Sequence, residues 1–127
     1  MNDKVQVLVI GAGIMGHSIA QDFAAHGYPT TLYDQSGEQL ETARTLVDGN
    51  LQLLKDEGMI TDEGIKNVNE LLVYTDKMED AARQAKFVVE AVPEVPDIKQ
   101  ALFAELDRLC SPDTILTSTT SALNIYD

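Results

Sequence analysis

The most constraining stretch of this chain is Val5-Gln6-Val7-Leu8-Val9-Ile10-Gly11-Ala12-Gly13-Ile14-Met15-Gly16. Val5 to Ile10 is apolar on both faces, which predicts a central strand of a parallel sheet rather than an edge. The run stops in G-x-G-x-x-G, and His17-Ser18-Ile19-Ala20-Gln21-Asp22-Phe23-Ala24-Ala25 then reads as a helix. Strand, glycine turn and helix in this order give each glycine a physical task. Gly11 allows the tight turn, Gly13 lets a ligand approach the backbone, and Gly16 lets the helix lie close on the strand. The helix presents unpaired N–H groups and the positive end of its dipole to an anion. The pattern points to a dinucleotide whose pyrophosphate lies over Gly11, Ala12, Gly13, Ile14, Met15 and Gly16. The alternative is a glycine-rich turn without a ligand.

The rest of the chain alternates strands and helices. The first helix is expected from about Ile14 to His26, with Gly27 as its stop. Thr30 to Tyr33 is a second β-rich run. Glu38 to Glu57 reads as a long helix, with Leu40, Ala43, Leu46, Val47, Leu51 and Leu54 at helical spacing. A shorter helix starts at Thr61-Asp62, with Ile65 and Val68 inward. Leu71 to Tyr74, Lys86 to Val92 and Thr114 to Ser118 are further strands. Asp76 to Ala85 and Asp97 to Leu109 are further helices, the second turning Ile98, Leu102, Phe103, Leu106 and Leu109 inward. The fold class is therefore α/β, a doubly wound parallel (Rossmann) sheet in order 3-2-1-4-5, with a helical hairpin inserted after the second strand. That topology gathers Gly11 to Gly16, Asp34, Ala91 to Glu94 and Ser118 to Ser121 around one crevice at the carboxyl ends of the strands.

Asp34 is the second decisive residue. It ends the second strand about 20 residues past the glycines, where a carboxylate can accept hydrogen bonds from the adenosine ribose. Gln35-Ser36-Gly37 beside it carries no positive charge to meet a 2′-phosphate. The expected cofactor is NAD rather than NADP. Capping of the following helix is the competing role for Asp34.

Charge narrows the partners. The 127 residues carry 21 acidic and 9 basic side chains, a formal net charge of -12. That argues against nucleic acid and anionic membrane surfaces, but not against a dinucleotide held by backbone N–H groups. No apolar run reaches the length of a membrane span, and no signal peptide is recognisable, so a cytoplasmic address is expected. The single Cys110 has no disulfide partner and no companion metal ligands, and it is expected to pack at a helix end. The hairpin is acidic, with only Arg44, Lys55 and Lys66 against its carboxylates. It either reaches toward a substrate or is simply solvated.

Taken together, Gly-Ala-Gly-Ile-Met-Gly at 11–16, Asp34, Glu90-Ala-Val-Pro-Glu94 with Lys99, and Ser118-Thr-Thr-Ser-Ala-Leu123 resemble the N-terminal half of 3-hydroxyacyl-CoA dehydrogenases. The helix around Ala101 to Cys110 fits as well, so the resemblance covers nearly the whole chain. It implies oxidation of a 3-hydroxyacyl thioester with hydride transfer to NAD, a small-molecule substrate in fatty acid metabolism, and a homodimer in the full-length enzyme. It counts Gln35, Ala91 and Val92 among the cofactor-binding residues and by position places Glu94 and Lys99 near the cofactor's ribose and nicotinamide half. Ser121 becomes the catalytic-site residue, touching nicotinamide and substrate hydroxyl. Plainer roles remain open: Glu94 and Lys99 as a surface ion pair, Ser121 as a helix cap.

Two departures from the family pattern stand out. Thr119 occupies the usual Asn position, and Ala122 the position of the usual second Ser. They leave room for a carnitine- or hydroxy-acid-type dehydrogenase of the same superfamily. The family's His-Glu proton-transfer pair has no counterpart here. His17 and His26 lie on the first helix and are expected to be structural. Residues 1–127 are thus expected to be an NAD-binding domain, a fragment that lacks the last strand and the helical C-terminal domain and is inactive alone. A stand-alone NAD-binding module without chemistry is the other possibility.

Overall fold

The computed structural model describes residues 5–91 and 96–118, except the side chains of Pro96, Ile98, Lys99 and Ser118. Its elements follow one another as β1 (Val7–Ile10), α1 (Ile14–Ala25), β2 (Thr30–Tyr33), α2 (Gly37–Asp56), α3 (Asp62–Leu71), β3 (Leu72–Thr75), α4 (Met78–Gln84), β4 (Phe87–Glu90), α5 (Pro96–Leu109) and β5 (Ile115–Ser118). All strand pairs are parallel and the sheet order is β3-β2-β1-β4-β5, as the sequence predicts.

β1 is central because every one of its side chains is buried: Val7, Leu8, Val9 and Ile10 are each at most 2% exposed. Alternation along the strand divides them between two cores. Val7 and Val9 face Ala20 and Ala24 of α1, Val47 and Leu51 of α2 and Val68 of α3. Leu8 and Ile10 face Ala82 of α4 and Leu106 of α5. Helices therefore cover both faces, and each buried aliphatic side chain contributes about 2 kcal/mol. The hairpin of α2 and α3 shares its face of the sheet with α1, and it is fastened at both N-termini. Ser36 Oγ accepts from the Gln39 N–H, and Thr61 Oγ1 from the Gly64 N–H.

The boundaries shift in small, explicable ways. Val5 was expected in the first strand but is 44% exposed, and the ladder opens only at Val7 opposite Thr30. Leu71 closes α3 rather than opening β3, and Leu46 lies on the flank of the α2 stripe, 39% exposed. α5 begins at Pro96, where a missing N–H costs a helix nothing.

Candidate functional site

The carboxyl ends of β1, β2 and β4 meet at one edge, where the winding of the sheet reverses between β1 and β4. Backbone bonds tie them together: the Gly11 N–H donates to the Tyr33 carbonyl at 2.8 Å, and the Ala91 N–H to the Ile10 carbonyl at 2.8 Å. Gly11 has φ 104°, a conformation that an L side chain resists. Gly16 is held even more tightly. A Cβ on it would stand 1.6 Å from the Gly11 carbonyl oxygen and 3.8 Å from the Ala91 Cβ. Gly13 is the opposite case, since a Cβ there would meet nothing within 4 Å. The first and third glycines thus build the turn, while the middle one faces open space.

Gly13 is the N-cap residue of α1 and brings no side-chain acceptor to the helix. The N–H groups of the first turn have no preceding helical carbonyl to bond. Nor does α1 carry an acid in its first turn, although α2 has Glu38, α3 Asp62 and Glu63, α4 Glu79 and Asp80, and α5 Asp97. In a chain of net charge -12, α1 is the helix among the described residues whose first turn supplies no carboxylate of its own to the positive end of its dipole. Ile14 and Met15 stand on the same turn, 81% and 56% exposed.

Asp34 closes the site from β2. Its Oδ2 accepts from the Ala12 N–H at 3.0 Å and its Oδ1 from the Ser36 N–H at 2.9 Å. The cap of α2 is Ser36, so Asp34 is not needed there. The carboxylate instead joins the glycine turn to the loop after β2. Each oxygen retains a lone pair for a further donor. Gln35 beside it is exposed.

The structure thus brings together Gly11, Ala12, Gly13, Ile14, Met15, Gly16, Asp34, Gln35 and Ala91. Val92, Glu94 and Ser121 lie outside the described residues, and Lys99 is described only as a backbone position in α5. Glu90 ends β4 fully buried, opposite Ser118 in the ladder, and no buried side-chain polar atom among the described residues lacks a partner.

Sequence reasoning assigned His17 no more than a structural place, and Asn50 no place at all. His17 is buried, with Nδ1 3.0 Å from the Gly13 carbonyl oxygen. A carbonyl only accepts, so Nδ1 carries the proton and Nε2 is an acceptor. Asn50 Nδ2 on α2 donates to that Nε2 at 3.4 Å and to Gln21 Oε1 at 3.1 Å. The i, i+4 spacing of Gly13 and His17 was visible in the sequence, but nothing there could announce a partner 33 residues on. His26 lies exposed at the far end of α1, its Nδ1 2.8 Å from the Asp22 carbonyl oxygen. Among the described residues no cluster of His, Cys, Asp or Glu could hold a metal, and no helix is long and apolar enough to cross a membrane.

Comparison with known proteins agrees with this fold. Residues 6–127 match the family model of the 3-hydroxyacyl-CoA dehydrogenase NAD binding domain. The chain is 39% identical over 120 residues to 3-hydroxyadipyl-CoA dehydrogenase of Escherichia coli, covering 94% of this chain and 25% of that protein. It is 36% identical over 122 residues to a probable 3-hydroxybutyryl-CoA dehydrogenase of Bacillus subtilis, covering 96% and 42%. A crystal structure of 3-hydroxybutyryl-CoA dehydrogenase from Escherichia coli superposes with a TM-score of 0.87 at 36% identity, covering 95% of this chain and 25% of that one. The chain therefore spans less than half the length of these relatives.

Proposed function

The chain belongs to the 3-hydroxyacyl-CoA dehydrogenase family, as its NAD-binding domain, and from that premise we propose how its residues serve the reaction. The pyrophosphate of NAD takes the first-turn N–H groups of α1, over Gly13. Asp34 accepts from the adenosine ribose with the lone pairs that Ala12 and Ser36 leave open, and it repels a 2′-phosphate. Gly11, Gly16 and Ala91 shape the floor, while Ile14, Met15 and Gln35 flank the ligand. Val92, Glu94 and Lys99 continue the contact toward the nicotinamide, and Ser121 orients the substrate hydroxyl. The observation that carries this reading is the one helix N-terminus among the described residues without a first-turn acid, set beside an open Gly13. Bound there, NAD supplies the hydride acceptor.

In this reading the polypeptide works as one domain of a longer enzyme that oxidises a 3-hydroxyacyl-CoA to the 3-oxo product. No described histidine is available as a base, because His17 is held by Gly13 and Asn50, and His26 lies at the far end of α1. Neither histidine of the chain is therefore assigned the proton transfer. The chain mixed with NAD and 3-hydroxybutyryl-CoA is expected to bind cofactor and form no NADH. NADH formation by the chain alone would contradict this division of labour, and a cofactor-soaked crystal with an empty glycine mouth would contradict the site.

A free hydroxy acid is the second reading of the substrate. The three cations of the hairpin are already engaged: Arg44 lies 4.2 Å over the Tyr74 ring, Lys55 is 2.7 Å from Asp62 Oδ1, and Lys66 is 4.0 Å from Glu70 Oε1. With more carboxylates than cations on the hairpin, this face has a net negative charge that disfavours coenzyme A phosphates. Rates of the full-length enzyme on 3-hydroxybutyryl-CoA and on 3-hydroxybutyrate decide between the two.

A further inference from the structure

We infer that His17 and Asn50 are positioning residues for the diphosphate of the cofactor, so that α2 sets how firmly the glycine mouth holds its ligand. The inference rests on the dinucleotide reading above. The Gly13 carbonyl and the Ile14 N–H belong to one planar peptide unit and point in opposite directions. Fixing the oxygen therefore aims the N–H. Two donors of His17 fix it, the backbone N–H at 3.0 Å and the ring Nδ1 at 3.0 Å. The space where a Gly13 side chain would stand is empty, so no side-chain packing braces this peptide from there. The ring is held in turn through Nε2, which accepts from Asn50 Nδ2 at 3.4 Å with Ser18 Oγ at 3.5 Å. Asn50 is oriented by Gln21 Oε1 at 3.1 Å. The opposite tautomer would turn a lone pair toward the Gly13 oxygen and a proton toward the Asn50 amide, losing both bonds at once. A continuous set of hydrogen bonds thus runs from α2 through His17 to the peptide that faces the diphosphate.

The test uses the whole chain and two ligands. NAD carries the diphosphate; adenosine reaches only the Asp34 side of the site. Affinities are measured by calorimetry for NAD and by NMR titration for adenosine, with the melting temperature of each variant. His17→Leu is expected to weaken NAD about tenfold and adenosine less than about twofold, the loss of roughly one well-aimed hydrogen bond to a charged group. In His17→Asn the side-chain Nδ2 takes the place of the ring Nδ1, so most of the NAD affinity should return. Asn50→Ala should weaken NAD selectively by a smaller factor, and it carries the same comparison if His17→Leu does not fold. Equal losses for both ligands, or no rescue by asparagine, would overturn the inference and leave His17 a packing residue. A wild-type chain that takes up no NAD would overturn the dinucleotide reading itself, and the inference with it.

Discussion

Two glycines of one motif should respond to the same substitution in opposite ways. Gly16→Ala drives a methyl into the Gly11 carbonyl, 1.6 Å away. Such a backbone clash costs about 3 kcal/mol or more and lowers Tm by roughly 10 °C or more. Gly13→Ala adds its methyl to open space at φ -73°, so melting should change by no more than about 1 kcal/mol equivalent. Its NAD affinity should nevertheless fall by about tenfold or more, because the methyl keeps the pyrophosphate from the backbone. Thermal melts with NAD titrations check both; a Gly13→Ala chain that binds like wild type would remove Gly13 from the site. Asp34→Asn is informative in another way. One end of the amide must set an NH2 against either the Ala12 or the Ser36 N–H, at a cost of about 1–3 kcal/mol. Lower Tm and reduced preference for NAD over NADP are expected together, and unchanged selectivity would show that the carboxylate does not read the ribose. The position of Asp34 after the second strand was legible in the sequence. Its engagement with Ala12 was not, because no local pattern reports a bond across 22 residues.

At the scale of elements, the alternation of strands and helices carried the topology, and the errors sit at ends. Leu71 and Leu72 are both apolar, so composition could not say which ends α3 and which opens β3; the ladder, which starts at Leu72 opposite Thr30, shows the outcome. Leu46 satisfied the helical period yet lies on the flank, since period alone does not set how wide a stripe the neighbours cover. The hairpin read as either a substrate arm or a solvated excursion, and its anchoring became clear only in three dimensions. Arg44 of α2 stacks on Tyr74 of β3, and burial pushes the Tyr74 hydroxyl up to about 12, with Asp48 adding to the shift and Arg44 opposing it. The sign follows. Below pH 10 the tyrosine is neutral folded or unfolded, and above it the unfolded chain ionises first. Stability should therefore fall as pH rises from about 10 to about 12. Tyr74→Phe keeps the ring under Arg44 and removes the ionisation, so its melting curve should lose less across that interval than wild type. Parallel losses would mean that the hairpin anchor does not depend on this hydroxyl.

The described residues form one sheet between two cores, and one edge of it gathers the glycine turn, Asp34 and Ala91. The order of elements was sufficient to read the architecture, and the motifs at 11–16, 34, 90–94 and 118–123 to read the family. The glycine motif, Asp34 and Ala91 converge because parallel strands deliver their carboxyl ends to the same side. The contribution of His17 and Asn50 was hidden, since it depends on α2 lying against α1 and on which ring nitrogen carries a proton. The account as a whole stands on a diphosphate at the α1 N-terminus with a carboxylate beside it at the ribose. Calorimetric titration of the chain with NAD and with NADP tests that most directly. NAD should bind at least about tenfold more tightly than NADP, whereas equal affinities, or no heat from either nucleotide, would contradict it.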